Sequence, residues 1–403
     1  MKILLLCTKF SLNENDPWLT NELAEALQLA SHEVTVACLD WSGDSGRQTV
    51  ELKTGSGVRV IAIPPVMTRS PFPTLNKVLK WTLSSIWGHL TLRRRLRNQA
   101  FDLVIGFSPA VTMALPILML TRKMSEKSLL IQWDFFPYHQ QQIGAIPSGI
   151  LFQAAKLVET LLIRRFDTIG CMSPANVKYV QDHYDLRPTQ HVDVLPIWAK
   201  GEVLTDIDAE AVRNEYELPS CRPIVVFGGQ LAPGRGLNDL LQMAELAEGA
   251  DSPLYFLIIG SGPLEAAVKA YLVSGHRNLR WIPRVPRPEY LKIIQVCDIA
   301  LVCTVRNVNV PTFPSKTLDY LRAGLPIVAS VEKSTDYGDF LLANAVGISV
   351  EAGEPSRLLA AIEALLQDAD RLDMMSKEGP GCFIQNFEVT HVARQLLDIA
   401  SAT

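Results

Sequence analysis

Short apolar runs alternate with helical patterns along the whole chain, and the series starts again near residue 223. The first series is predicted to form seven strands: Ile3–Cys7, Glu33–Leu39, Val58–Ile63, Leu103–Phe107, Leu129–Trp133, Thr168–Met172 and Val192–Leu195. The second is predicted to form six: Pro223–Gly229, Leu254–Gly260, Leu279–Ile282, Ile299–Cys303, Pro326–Ser330 and Gly347–Val350. Continuously apolar strands are typical of parallel sheets that are covered on both faces. The pattern therefore predicts an α/β fold with two doubly wound, Rossmann-like domains facing a cleft.

The boundary between the two series is expected near 195–198, where an acidic stretch, 202–217, follows the last strand of the first series. We therefore expect a first domain over residues 1–197 and a second over residues 198–385. Residues 386–403 are predicted to form a helix that packs back on the first domain. A length of 403 residues agrees with two or three domains of roughly 150 residues each.

Composition excludes several classes of protein. With 48% hydrophobic and 20% charged residues, the chain is expected to be globular rather than disordered. Its longest apolar run, 110–120, is too short to cross a bilayer, and the apolar run at 3–7 is too short for a secretory signal. The seven cysteines form no CxxC pair, so we expect reduced thiols in a cytoplasmic protein and no structural zinc.

Positive charge is concentrated in the first half of the chain. The region between Glu51 and Asp102 holds nine basic residues and no acidic one, which suits an anionic partner. Within it, residues 76–97 mix basic side chains with apolar ones, including Trp81 and Trp87. This pattern fits a helix lying peripherally on an anionic membrane surface, or else a packed helix with a solvated basic end. Nucleic acid is not an expected partner, because no nucleic-acid-binding module is present.

The loop after the first strand of the second series is rich in glycine and is followed by a helix. It contains Gly229, Gln230, Arg235 and Gly236. Glycines let a ligand approach the backbone, a helix amino terminus offers free N–H groups, and arginine offers several donors. The loop could therefore hold a diphosphate, or its glycines could serve only the turn. Its spacing matches neither the GxGxxG nor the P-loop pattern.

Two further segments follow later strands of the same series. Residues 259–263 form a second glycine turn, Ile-Gly-Ser-Gly-Pro, which includes Gly260. In 309–330 an irregular loop enters a helix near Ser315. There Ser315 and Lys316 could bind phosphate oxygens, and Asp319, one turn later, could accept hydrogen bonds from a ribose. The alternative is that Ser315 only caps the helix and Asp319 is a solvated helix residue.

Taken in order, these three motifs resemble the carboxyl half of glycosyltransferase family 4. The resemblance lies in Gly-Gly-x5-Arg-Gly, Ile-Gly-Ser-Gly-Pro and Pro-Ser-Lys-x2-Asp-Tyr-Leu-x-Ala-Gly-x-Pro-Ile-Val-Ala. The Pro-Ser-Lys form is similar to the bacterial branch that builds O-antigen, capsule and exopolysaccharide, including N-acetylfucosaminyl transferases. The segments 101–109, 131–137 and 166–174 agree more loosely with the amino half of that branch. The resemblance implies the GT-B fold and transfer from a nucleotide sugar with retention of configuration.

The resemblance also implies a set of site residues. The implied catalytic residues are Asp134, Arg235 and Lys316. The implied substrate-binding residues are Ser108, Gly229, Gln230, Gly236, Gly260, Val285, Phe313, Pro314, Ser315, Thr317 and Asp319. Asp134 stands where the family often has an acceptor-side histidine; it could orient the acceptor hydroxyl or the donor sugar, or it could cap a turn.

The chain also departs from the family pattern. Gln230 and Arg235 occupy the positions of the usual Arg and Lys, and Pro311 and Asp319 occupy those of the paired glutamates. The residues 8–13 replace the usual glycine-rich loop after the first strand.

The resemblance implies a uridine diphosphate sugar as donor and a polyprenyl-diphosphate-linked or other glycan as acceptor. It implies neither metal nor cofactor, because cationic side chains and helix amino termini stabilise the departing diphosphate. Two alternatives remain open: a nucleotide-sugar epimerase of the same fold, and a protein that binds a sugar nucleotide without turnover.

Overall fold

A computed structural model describes residues 1–13, 17–43, 45–67, 73–201, 204 and 207–402, without the side chains of residues 73–75 and 77. Within these residues the chain forms two compact units. The first comprises residues 1–200 with 388–403, and the second comprises 201–387. Parts of the predicted acidic stretch and the side chain of Lys77 lie outside the described residues.

The first unit is built on an eight-stranded sheet. Its strands are β1 (Lys2–Cys7), β2 (Glu33–Leu39), β3 (Val50–Lys53), β4 (Arg59–Ile63), β5 (Leu103–Phe107), β6 (Ser128–Gln132), β7 (Thr168–Cys171) and β8 (His191–Val194). Its helices are α1 (Leu19–Leu29), α2 (Pro73–Arg95), α3 (Ala114–Met124), α4 (Tyr138–Gln142), α5 (Ile150–Ile163), α6 (Pro174–His183) and, from the end of the chain, α15 (Val389–Ser401). The strand order is β3-β4-β2-β1-β5-β6-β7-β8.

The second unit is built on a six-stranded parallel sheet. Its strands are β9 (Ile224–Gly228), β10 (Tyr255–Ile259), β11 (Leu279–Ile282), β12 (Ile299–Cys303), β13 (Ile327–Val331) and β14 (Gly347–Glu351), in the order β11-β10-β9-β12-β13-β14. Its helices are α7 (Ala209–Glu215), α8 (Leu237–Gly249), α9 (Glu265–Val273), α10 (Arg287–Ile294), α11 (Thr317–Arg322), α12 (Tyr337–Ala343), α13 (Pro355–Gln367) and α14 (Ala369–Asn386).

Both sheets are doubly wound, as predicted. Apart from Lys2 at the start of β1, the central strands are buried along their whole length, because helices cover both faces of each sheet. In each unit the strand order reverses once, between β1 and β5 and between β9 and β12. Ligands of such sheets bind beyond the carboxyl ends of the strands at this reversal. The loops after β9 and β12, and after β1 and β5, are therefore the places to look for a site.

One strand was not predicted. Strand β3 pairs with β4 in the antiparallel direction at the edge of the first sheet. Its residues alternate between half-buried and exposed, as expected for an edge strand that is covered on one face. Among the described residues no helix is both long and apolar enough to span a membrane.

Candidate functional site

The loop between β9 and α8 holds its shape through glycines. Gly236, the residue before α8, has a φ of 60°, a left-handed conformation that few other residues adopt. A Cβ at this position would lie 2.5 Å from the carbonyl oxygen of Thr304, just after β12. Gly236 therefore lets the amino terminus of α8 approach the neighbouring strand at the reversal of strand order.

The second glycine turn packs directly on the first. A Cβ on Gly260 would lie 1.9 Å from the carbonyl oxygen of Gly229, so only glycine fits there. The two loops are also joined by hydrogen bonds, from Leu231 N to Ser261 O (3.1 Å) and from Leu264 N to Leu231 O (3.0 Å). Gly229 and Gly260 thus belong to one backbone platform at the carboxyl end of the sheet.

Lys316 lies over this platform. Its Nζ is 3.5 Å from the ring centroid of Phe227, and its Cε and Nζ would each lie 3.6 Å from a Cβ on Gly229. Burial and, to a lesser extent, the nearby charge of Arg235 together lower the pKa of Lys316 to about 7, against a smaller opposing effect of Cys303. In the described part of the chain no carboxylate forms an ion pair with Lys316 or with Arg235. Two neighbouring cations therefore lack a negative partner of their own and are suited to bind an anion.

Asp319 is engaged by arginines. The Arg287 guanidinium donates to both of its carboxylate oxygens, at 2.7 and 3.2 Å, and Arg322 lies 3.9 Å away. Only 12% of the Asp319 side chain is exposed. One residue further on, the Tyr320 hydroxyl accepts a hydrogen bond from the backbone N–H of Gly228 at 2.8 Å. Helix α11 is thus attached both to α10 and to the end of β9.

The loop before α11 is held by buried contacts. Phe313 packs edge-on against Tyr337, and the Thr317 and Tyr337 hydroxyls lie 2.6 Å apart. The buried carboxylate of Glu332 accepts hydrogen bonds from the backbone and hydroxyl of Thr312, at 2.8 and 2.7 Å, and from the Thr304 hydroxyl. These contacts fix the loop's conformation without using the predicted phosphate-binding residues.

The remaining predicted residues of the second unit differ in exposure. Pro314 is buried, Val285 is half-buried, and Gln230 and Ser315 are exposed. The structure thus brings Gly229, Gly236, Gly260, Arg235 and Lys316 together around one platform. Phe313 and Thr317 instead belong to the packing around Tyr337.

The predicted residues of the first unit lie in the loops after β5 and β6. The Ser108 hydroxyl accepts hydrogen bonds from the backbone N–H groups of Trp133 and Asp134, both at 2.8 Å. Gln132 donates from its side chain to the Asp134 carbonyl oxygen. The two loops are therefore joined, with the Asp134 side chain exposed at their junction.

A buried carboxylate that sequence reasoning missed lies beside these loops. Glu159, on the inner face of α5, accepts hydrogen bonds from the backbone N–H groups of Ala110 and Val111, at 2.7 and 2.8 Å. These groups open a 3₁₀ turn, Ala110–Met113, that leads into α3. Burial raises the pKa of Glu159 to about 7, opposed by the two hydrogen bonds and helped by the charge of Asp134.

Arg287 was missed as well. In the sequence, Glu159 is a single acidic residue in an apolar helical pattern. Arg287 belongs to a basic pair, Arg284 and Arg287, that follows a strand. Neither pattern identifies the hydrogen-bonding partner, because the partners are 49 and 32 residues away along the chain. Among the described residues no group of three His, Cys, Asp or Glu side chains could hold a metal ion.

Two family models match the chain. The model described as Glycosyl transferases group 1 matches residues 208–381, and the model described as Glycosyl transferase 4-like domain matches residues 18–198. WcaI of Escherichia coli (strain K12), named as a colanic acid biosynthesis glycosyl transferase, is 23% identical over 361 residues. The match covers 86% of this chain and 87% of WcaI.

Solved structures show the same architecture. Sucrose-phosphate synthase from Thermosynechococcus elongatus superimposes with a TM-score of 0.77 at 15% identity, covering 100% of this chain and 98% of that one. HepE from Anabaena, solved in complex with UDP, superimposes with a TM-score of 0.70 at 14% identity, covering 100% of both chains. At such identities the likeness concerns the fold, and it confirms the predicted GT-B architecture.

Proposed function

Because this chain belongs to glycosyltransferase family 4, we propose that it moves a sugar from a uridine diphosphate sugar to a lipid-linked glycan, with retention of anomeric configuration. The observation that carries the proposal is the cation pair of Lys316 and Arg235 beside the glycine platform. The pair lies at the carboxyl end of the second sheet, next to the reversal of strand order.

A diphosphate supplies the negative charge that this platform lacks. Its oxygens would neutralise Lys316 and Arg235 and accept hydrogen bonds from backbone N–H groups at the start of α8. Binding would then offset the free-energy cost of burying the Lys316 ammonium. The UDP complex of HepE supports uridine diphosphate as the nucleotide part.

Retention follows from the way in which the leaving group is used. As the bond between the sugar and the diphosphate breaks, negative charge grows on the diphosphate, and both cations stabilise it. The departing diphosphate then helps to remove the proton from the acceptor hydroxyl on the same face of the sugar. This route requires neither a metal nor a carboxylate nucleophile. Asp319, held by Arg287, is proposed to bind the ribose through oxygen lone pairs that remain available.

The acceptor is proposed to contact the first unit. Asp134 is exposed on loops that Ser108 and Glu159 hold in place, so it could orient an acceptor hydroxyl. The name of WcaI supports a bacterial exopolysaccharide as the product. A polyprenyl diphosphate would place the acceptor at an anionic membrane surface, with contact through residues 76–97 of a protein that is otherwise cytoplasmic.

Incubation with a panel of nucleotide sugars tests this function against its alternatives. Release of UDP that depends on an added acceptor, with the anomeric configuration retained in the product, is the expected result. Conversion of a donor without acceptor would identify an epimerase. Donor binding without turnover under any condition would identify a binding protein.

A further inference from the structure

Three helices of the first unit form one layer. Helix α2 connects β4 to β5, α3 connects β5 to β6, and α5 lies between β6 and β7. Each connection steps in the same direction across the parallel part of the sheet. Right-handed crossovers therefore place all three on one face, and α3 packs against both α2 and α5.

Helix α5 turns its apolar side outward. Its solvent-exposed apolar residues recur at helical spacing: Ile150, Leu151, Ala154, Leu157, Val158 and Leu161. Ile150 is 91% exposed and Leu157 is 61% exposed, whereas Glu159 and Thr160 face inward. A helix that faces water normally has the opposite arrangement.

Helix α2 also has polar residues on its inward face and apolar residues on its outward face. Its inward face carries Ser84 and Ser85, whose hydroxyls accept hydrogen bonds from the backbone of Val66 (2.9 Å) and Leu115 (2.7 Å). Its outward face carries four large apolar side chains: Leu83, Ile86, Trp87 and Leu90. Together with Met119 of α3, which is 52% exposed, these residues form a large apolar surface that no described residue covers.

The exposed charges of the same three helices are all positive. Their only acidic residue is Glu159, which is buried. Exposed basic residues occupy the last turns of α2 and α3: Arg93, Arg94, Arg95, Arg122 and Lys123. Arg95 pairs with Glu51, but in the described part of the chain no carboxylate pairs with the other four. Arg93 and Lys123 both lower the pKa of His89, after the larger effect of burial, so the cations of the two helices lie near each other.

We propose that the outward face of α2, α3 and α5 docks on the surface of an anionic lipid bilayer. Its apolar side chains would enter the interfacial region, and its arginines and lysines would contact the head groups. This inference rests on the proposed membrane-borne acceptor and extends the contact from residues 76–97 to α3 and α5. A second copy of the chain fits less well, because the same three helices would bring no exposed carboxylate of their own to these cations.

Sedimentation with vesicles tests the proposal without donor or acceptor. The protein should bind vesicles of phosphatidylcholine with phosphatidylglycerol, and should bind pure phosphatidylcholine much more weakly. The double variant Leu157→Ser with Leu161→Ser should lower partitioning by about tenfold or more, with little dependence on salt. The double variant Arg122→Gln with Lys123→Gln should lower it by about tenfold at low salt and less at high salt.

Matched controls lie on the opposite face of the same unit. Leu29 of α1 is 76% exposed and Arg394 of α15 is exposed, so Leu29→Ser and Arg394→Gln should leave vesicle binding unchanged. All variants should keep their melting temperature and their turnover of a short, water-soluble acceptor. Unchanged binding of the α5 variant would overturn the proposal. So would equal binding to neutral vesicles, or a dimer that the α5 substitutions dissociate without any effect on vesicle binding. If the unaltered protein binds vesicles but shows no acceptor-dependent turnover, that result would instead count against the proposed function.

Discussion

At the scale of single residues, burial of Lys316 opposes its positive charge. Its pKa of about 7 means that much of the unliganded protein has a neutral Lys316 at pH 8. A bound diphosphate would raise that pKa again, because an adjacent negative charge favours the ammonium. Binding of a nucleoside diphosphate should therefore take up a proton.

Calorimetry in buffers of different ionisation enthalpy measures this uptake. At pH 8 we expect close to one proton per UDP bound, and none for Lys316→Met. The same variant should weaken UDP binding by about 1.5–3 kcal/mol, the range for a charged hydrogen bond. Lys269→Met, on a more exposed lysine of the same unit, should change neither quantity. Proton uptake that persists in Lys316→Met would show that another group titrates.

Arg235 should behave differently, since its guanidinium stays charged at any ordinary pH. Arg235→Gln should weaken UDP binding by about 1.5–3 kcal/mol while proton uptake remains. Thermal unfolding without ligand should change little, because Arg235 is exposed. Full UDP affinity in this variant would remove Arg235 from the diphosphate site.

Asp319 tests whether its contact with Arg287 serves binding or only folding. Asp319→Ala should lose donor affinity, and Asp319→Glu should keep part of it. The control Arg287→Met removes the bidentate partner and leaves the carboxylate in place. If Asp319→Ala and Arg287→Met both bind UDP as tightly as the unaltered protein does, the carboxylate contributes only to packing.

At the scale of elements, the sequence reveals the strands better than their partners. Runs such as β9 and β12 are apolar at every position, so their existence and central place could be predicted. Strand β3 was missed because it has four residues and lies at an edge, where one face is solvated. Local spacing likewise located Gly229 and Lys316. It could not assign Glu159 to the turn at 110–113, because that contact depends on how α5 packs.

Glu159 should give the first unit a pH dependence of its own. Its pKa is about 7 when folded, against an ordinary 4.5, so the folded state holds this proton more tightly than the unfolded state does. Its contribution to the free energy of unfolding is then largest below pH 4.5 and falls by about 3 kcal/mol as the pH rises to 7. Denaturant unfolding of Glu159→Gln should lack this decrease. An equal pH dependence in the two proteins would contradict the assignment.

At the scale of the whole molecule, the end of the chain completes the first unit. Val389, Val392 and Leu396 of α15 are buried in the same core as Leu23 of α1. The sequence predicts a helix over 386–403 that packs back on the first domain, and α15 lies in the first unit.

The substitution Leu396→Ala should lower the free energy of unfolding of the first unit by about 2–5 kcal/mol, because it leaves a cavity in a packed core. Arg394→Ala, on the exposed side of the same helix, should change it by no more than about 0.5 kcal/mol. Denaturant titration followed by tryptophan fluorescence measures both, since Trp198 lies in this core.

Because α15 packs in the first core, the first unit cannot finish folding until the end of the chain has been synthesised. Strands β1 to β8 are synthesised first, yet their covering helix is not made until residues 389–401 have been translated. At roughly 5–20 residues per second, the first sheet waits about 10–40 seconds with part of its apolar face open. During that interval the nascent chain depends on chaperones or on fast elongation to avoid aggregation. Rare codons in the second half of its gene would therefore lower the yield of folded protein.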